Sequence, residues 1–340
     1  MVLAAEAPDI DVLWSFRGPV AGFEHHRGIT HTFLGAPLMA LLVTGTVWLW
    51  HRWRTRKRDQ QIGSSSGVHP VHSVHSNGAP PVRWGLLWLL ALIADFSHIL
   101  LDWTNNYGVR PFFPFNPHWY AGSIFFIFEP VLFGALLLAL VLPAILGLAD
   151  REIGVRRTLF RGRGWAIFAL CVAVVLGCWR WAEHERALHL LAQQNYQNEP
   201  VLKMTVNPYP GNVFRWFGVV ETKDFYQTAF LNTRTDSFTS HASDDLFYKQ
   251  PQTPAILAAK RSWLGRVFLD WSAFPDVEDI DTLGALPNGS HGTQVQFQDL
   301  RFAYNVLSTR GHTKIPLGGI VTIAPDGSVD EMRMGGRVQK

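Results

Sequence analysis

Apolar residues gather into four long runs in the first half of the chain and disperse into short alternating patterns in the second. The runs cover residues 32–50, 84–101, 123–148 and 165–181. Each approaches the length of about 20 residues that a helix needs to cross a hydrocarbon core. Trp48, Trp50, Trp165, Trp179 and Trp181 stand at run ends, where indole rings suit the membrane interface. Pro130 and Pro143 fall inside the third run and predict a kink there. Long apolar segments with aromatic ends favour membrane spans over the buried helices of a soluble core.

After Pro200 the texture changes. VLKMTV, FRWFGVVET, FYQTAFLNT, TQVQFQDLRFAY and GGIVTIAPDGSV alternate apolar and polar residues between turn formers, as strands do. PAILAAKRSWLGRVFLDWSAF reads as a helical interlude among them, and WAEHERALHLLAQQNYQ as a helix that carries the fourth run into water. The expected fold is an α-helical membrane domain of about four transmembrane helices over 1–181, followed by a small α+β, mostly antiparallel-sheet extramembrane domain over 182–340. Residues 59–81, rich in Gly, Ser, Pro and His, read as a flexible cytoplasmic linker between the first two spans. His69, His72 and His75 recur there at a spacing of three, and a solvated linker is preferred to a weak metal site.

Composition sharpens the division. A mean hydropathy of +0.07 is too high for an ordinary soluble enzyme and too low for a chain embedded throughout. The net charge of +3 is small, and Lys and Arg sit beside apolar runs instead of interleaving with aromatics, which excludes nucleic acid as a partner. Those charges report topology. HRWRTRKRD after the first run and DREIGVRRTLFRGRG after the third should face the cytoplasm. The start of the first span, the loop after Asp102 and everything after Trp181 then lie on the outer, periplasmic face of an inner membrane. Cys171 and Cys178 would stand about 10 Å apart along one helix, too far for a disulfide. The opening MVLAAEAPDID lacks the basic and apolar regions of a cleavable signal peptide.

Against this background three polar clusters stand out: Asp9 and Asp11 in PDID, His25, His26 and His31 in HHRGITH, and Asp95, His98 and Asp102 in DFSHILLD. Ionisable groups beside lipid are expensive, and the loop charges place all three clusters on one side. On a helix, Asp95, His98 and Asp102 follow steps of three and four and share a face. A turn at Gly28 would bring His26 toward His31, with Thr30 as a helix cap and His25 pointing away. In an extended segment Asp9 and Asp11 would point the same way. Imidazoles mixed with carboxylates suit a divalent metal, zinc or manganese first, with iron also compatible. A bound ion can activate water, and two ions can clamp a phosphoester displacement. Arg27 could orient an anionic group, pair with a carboxylate or anchor a headgroup. Glu129, the one acid of the third run, is a secondary candidate with Asp95, His25 and Asn105. Asn106, Arg110 and His118 share the aromatic loop DWTNNYGVRPFFPFNPHWYAG, which reads as an ordered lid where a lipid head group could enter. The C-terminal part carries no matching pattern: His184 and His189 lack the spacing of a zincin helix.

PDID, HHRGITH and SHILLDWTNNYGVRPFFPF together, in that order, resemble the YdjM-type family of predicted inner-membrane metal-dependent hydrolases, with a looser likeness at RWFGVVET and QDLRF. The resemblance implies Asp9, Asp11, His26, His31, His98 and Asp102 as the metal set, with Asp102 and Arg27 in catalysis. Family members carry a helix with a Thr-His pair before this motif, whereas Met1 here stands only a few residues ahead of Pro8. Either the chain is translated from an internal start or the helix is absent, and in the second case a metal ligand is missing with it. The expected function is hydrolysis of an ester or phosphoester, on a small-molecule or lipid-linked substrate, by metal-activated water at the outer face. The competing expectation is a non-catalytic envelope protein whose polar cluster packs helices and whose C-terminal domain binds a partner. A transporter is disfavoured, because the acids do not continue across the bilayer midplane.

Overall fold

Sequence patterning accounts for most helices and strands of the computed structural model, which describes residues 1–65, 82–152, 161–241, 244–280, 284–285, 291–303 and 316–339. In chain order the first elements are α1 (Val2–Ala5), a 3-10 helix over Pro8–Arg17, α2 (Pro19–His25), a 3-10 turn over Ile29–His31, α3 (Gly35–Ser65) and α4 (Trp84–Thr104). Then follow α5 (Pro130–Glu152) and α6 (Arg161–Ala192). Within these, Trp84–Thr104, Pro130–Leu148 and Gly162–Ala192 are long and apolar enough to cross a membrane. Gly35–Lys57 joins Pro19–His31 in a pair bent by 83°, which makes up to four spans.

Two boundaries differ from those the sequence predicts. Residues 59–65 of the linker expected at 59–81 belong to α3, which runs to Ser65; the rest of that segment, with His69, His72 and His75, lies outside the described residues. Arg, Lys and Gln are good helix formers, and Arg52, Arg54 and Lys57 lie over the rings of Trp48, Trp50 and Trp53 one turn back. The third run loses its first residues: α5 starts at Pro130, whose missing N–H costs nothing in a first turn, and only Pro143 lies inside the helix.

The chain sorts into two compact units. The first comprises Met1–Trp14, His25–Asp102 and Val109–Tyr120. Here α4 runs back along α3: small side chains at Ala40, Ala91 and Ala94 pack together with Ala4, and the His51 ring meets Trp84 edge-on. The loop beyond α4 is closed by a two-way backbone bridge between Val109 and Tyr120, at 2.9 and 2.7 Å. Phe33 N donates to Pro111 O at 2.9 Å and ties that loop to the start of α3.

The second unit comprises Ser15–Glu24, Trp103–Gly108 and Ala121–Lys340. It adds β1 (Lys203–Tyr209), β2 (Asn212–Glu221), β3 (Phe225–Asn232), β4 (Ser237–Thr239) and β5 (Leu246–Tyr248). Next come α7 (Pro254–Arg261), α8 (Trp263–Trp271), β6 (Pro275–Asp279), β7 (Gly284–Ala285), β8 (His291–Asp299), β9 (Gly319–Ile323), β10 (Val329–Met334) and β11 (Arg337–Val338). Both sheets are antiparallel: β1-β2-β3-β4 with β5 also on β3, and β11-β10-β9-β8-β6 with β7 on β8. Residue 181 is internal to α6, so the polar run after the fourth apolar stretch continues a span as a helix. Its Ala187 and Leu191 join Trp216, Val220, Phe225 and Leu231 in a core against the first sheet. Gly218 permits that approach, since a Cβ there would stand 2.9 Å from methyls of Leu191 and Leu231.

Candidate metal centre

The polar clusters of the first unit meet through three local devices. His98 and Asp102 sit on successive turns at the end of α4 and so face the same way. The 3-10 helix over Pro8–Arg17 presents Asp9 and Asp11 in different directions, because two residues at three per turn are about 240° apart. The extended reading of PDID is corrected by this winding. At Gly28 the chain turns so tightly that a Cβ would lie 2.7 Å from the His25 carbonyl oxygen, and His31 N donates back to Gly28 O at 3.1 Å. Arg27, just before it, adopts a left-handed φ of 52°. That conformation aims its backbone N–H at Asp11 Oδ2, 2.7 Å away.

These devices bring His31, fully buried, between two carboxylate groups. Its Nε2 lies 3.4 Å from Asp9 Oδ1 and 3.4 Å from Asp102 Oδ2. His98 Nε2 lies 3.5 Å from the same Asp9 oxygen and 3.4 Å from the same Asp102 oxygen. Ligand atoms of Asp9, His31 and His98 all lie within 4.8 Å of one another. On the other side of the His31 ring, Nδ1 meets Asp11 Oδ2 at 3.3 Å and Thr30 Oγ1 at 3.1 Å. Asp11 Oδ1 faces His26 Nδ1 at 3.5 Å. Arg27 Nη2 donates to Asp102 Oδ1 at 2.6 Å and Nη1 to the Asp102 carbonyl at 3.4 Å.

One observation tests whether these residues fit a cation. His31 Nε2, His98 Nε2 and Asp102 Oδ2 are buried, and among the described residues none has a hydrogen-bond partner of normal geometry. Buried polar atoms are nearly always satisfied, and three that converge on one point without a mutual hydrogen bond fit a shared divalent ion. Two imidazole nitrogens with two carboxylate oxygens are also a donor set that zinc or manganese accepts. The electrostatics agree. The His31 and His98 imidazoles facing it hold the Asp9 carboxyl well below the usual range. Burial pushes Asp11 up, but His26 and His31 outweigh it and keep the group low. Both aspartates are thus charged at any neutral pH.

The family model of the YdjM inner membrane protein matches residues 1–187. The chain belongs to this family. The matched residues contain every member of the cluster just described, and the family and the candidate spans together give a membrane location. YfhP of Bacillus subtilis (strain 168), an uncharacterized protein, is 22% identical over 129 residues, which are 38% of this chain and 31% of that protein. The chain therefore spans about a third of the curated relative it matches. No solved structure matches the chain.

The remaining residues singled out in the sequence have partners or surroundings of their own. Asp95 is fully buried three residues before His98, and neither carboxylate oxygen has a hydrogen-bond partner among the described residues. His25 stacks on Trp14, with ring centroids 3.8 Å apart. Arg110 lies with its guanidinium 4.7 Å from the rings of both Phe113 and Trp119, and His118 meets Tyr120 edge-on. In the second unit, Asn105 Oδ1 accepts from the backbone of Tyr107 and Gly108, and the Asn106 carbonyl accepts from Arg301 at 2.8 Å. Glu129 precedes α5 instead of lying inside a span, paired with buried Arg180 at 2.6 Å and receiving Gly211 N at 3.2 Å. Thr30 is the residue whose place the sequence misses: no side-chain cap bond forms at the 3-10 turn, and its hydroxyl faces His31 and Asp11 instead. Its only sequence signal was adjacency to His31.

Proposed function

We propose that this chain is a membrane-bound, metal-dependent hydrolase acting on an ester or phosphoester. The reading is carried by the three unpartnered atoms His31 Nε2, His98 Nε2 and Asp102 Oδ2, with Asp9 Oδ1 beside them. Those four side chains would hold one divalent cation, zinc or manganese. Asp11 holds the far nitrogen of His31 and so sets its tautomer and ring orientation, a role that carboxylates behind metal-bound imidazoles commonly have. Arg27 takes Oδ1 of Asp102 and leaves Oδ2 turned toward the imidazoles. When bound, such an ion supplies Lewis acidity and brings the pKa of its water near 7. Hydrolysis joins the water oxygen to the acyl carbon or phosphorus, breaks the ester C–O or P–O bond, and releases the alcohol with a proton. The Arg- and Lys-rich loops after the first and third apolar runs support a periplasmic position for the cluster and for the C-terminal domain.

The test pairs metal analysis with turnover of soluble p-nitrophenyl esters and phosphoesters by detergent-purified protein. The reading predicts chelator-sensitive hydrolysis, restored by zinc or manganese and abolished in His31→Ala and Asp102→Ala. Bound metal without turnover on any probe would leave a metalloprotein and sink the hydrolase. A packing role has one contact in its favour, the close Arg27–Asp102 pair. It predicts that the same variants lower thermal stability while metal content never departs from background.

A further inference from the structure

The cluster sits toward the end of a candidate membrane span, and exposed apolar side chains stand close to its residues in sequence. Asp102 and His98 lie about 3 and 9 Å along the axis from Thr104, where α4 ends. The ligand side chain with the most open surface is Asp9, 47% exposed, against 0% for His31. Its chain neighbours Ile10 and Leu13 are exposed. A second apolar surface begins on the span itself. Phe96 of α4 meets Phe33, centroids 6.1 Å apart, and Phe33 meets Phe112 of the following loop at 5.3 Å. Phe33 is two residues from His31, and Phe96 is about 100° around α4 from Asp95 on the ligand face. The loop then carries Phe115 outward, 85% exposed. Aromatic surface continuous with a span, beginning about 12 Å along the axis inside its end and reaching the loop beyond it, suits the acyl boundary of a bilayer better than water.

We infer that this rim is immersed in the bilayer and that the substrate is a membrane-resident amphiphile. Its ester or phosphoester, at the base of the headgroup, would reach Asp9, His31 and His98 while its chains stay against Ile10, Leu13, Phe33 and Phe115. The substrate class rests on the hydrolase reading, whereas the immersion of the rim does not. The exposed ligand alone would serve any small molecule; the exposed apolar residues that neighbour Asp9 and His31 in sequence select a molecule that is itself part lipid.

The experiment has two arms. Phe115→Cys, in a Cys171→Ser/Cys178→Ser background, is labelled with bimane and reconstituted into phosphatidylglycerol vesicles. Brominated phosphatidylglycerol should quench the label strongly and aqueous iodide weakly. Iodide quenching as strong as that of a free bimane-labelled peptide overturns the rim, whatever metal is bound. In the second arm, Phe33→Ser/Phe115→Ser should keep its metal and its turnover of a soluble p-nitrophenyl ester. It should lose at least about tenfold on a long-chain fluorogenic ester embedded in the same vesicles, the scale set by withdrawing an aromatic side chain from apolar surroundings. Equal effects on both probes overturn the substrate class. If the wild type hydrolyses neither probe, the hydrolase reading fails and the substrate class falls with it, while the quenching arm still decides where the rim lies.

Discussion

Asp102 serves three neighbours at once: Oδ1 receives Arg27, while Oδ2 faces the His31 and His98 imidazoles without a hydrogen bond. Asp11 works behind His31 and not beside Asp9. Asp11→Asn should therefore keep the ligand atoms and weaken metal affinity by about 10–100-fold, as losing a supporting carboxylate does; competition with a chromogenic chelator measures it. Residue types and helical spacing made His98 and Asp102 legible as a pair. The split between Asp9 and Asp11 was not legible, because it depends on a 3-10 winding that PDID does not announce. A different residue gives a pH prediction. Burial pushes the Asp276 carboxyl up to about 6 from 3.8, although Gln298 Nε2 donates to it at 2.7 Å. The folded state thus prefers the proton, and this residue's contribution to stability is full below pH 3.8 and lost as pH rises through about 6. Asp276→Asn keeps an acceptor for Gln298 and removes the charge. Thermal melts should show it stabilised by about 1–3 kcal/mol near pH 8 and indistinguishable from the parent near pH 4.

At the scale of elements, α6 is both a span and a support for the first sheet. Arg180 Nη2, fully buried on α6, donates to Glu129 Oε2 at 2.6 Å and to the Tyr209 carbonyl at 3.0 Å, while Glu129 Oε1 receives Gly211 N. The start of α5, α6 and the β1–β2 turn thus share one ion pair. Removing one partner strands the other charge, so Glu129→Gln should destabilise the protein by about 3–5 kcal/mol, read as an earlier melt. Glu129 was legible as an unusual acid, but its partner was not, since 51 residues separate it from Arg180. The strands after Pro200 were legible from apolar and polar alternation in sequence such as TQVQFQ, although burial does not follow it in β2, where residues 216–220 are all buried. The extension of α3 to Ser65 was hidden by Gly and Ser in a run whose earlier Trp–Arg and Trp–Lys pairs stabilise the helix.

For the whole molecule, apolar run length and aromatic ends were enough to read a helical membrane part and an antiparallel-sheet part, as family membership and the described elements agree. Length, charge and alternation are properties of composition and survive without contacts. The partners of Asp11, Thr30 and Arg27 depend on how the turn at Gly28 folds, which no periodicity encodes. Topology is testable at this scale. If the loop charges set orientation, a membrane-impermeant thiol reagent added to intact cells should label a cysteine placed at exposed Ser237 and spare one placed at Arg56; the reverse pattern would put the cluster on the cytoplasmic side. The central claim is that Asp9, His31, His98 and Asp102 hold a divalent ion, and elemental analysis of purified protein tests it most directly. One zinc or manganese per chain is expected in the parent, retained through gel filtration, removed by chelator and lost in Asp9→Ala/His31→Ala/His98→Ala. A parent that carries no more metal than this triple variant, after exposure to either ion at neutral pH, would contradict it.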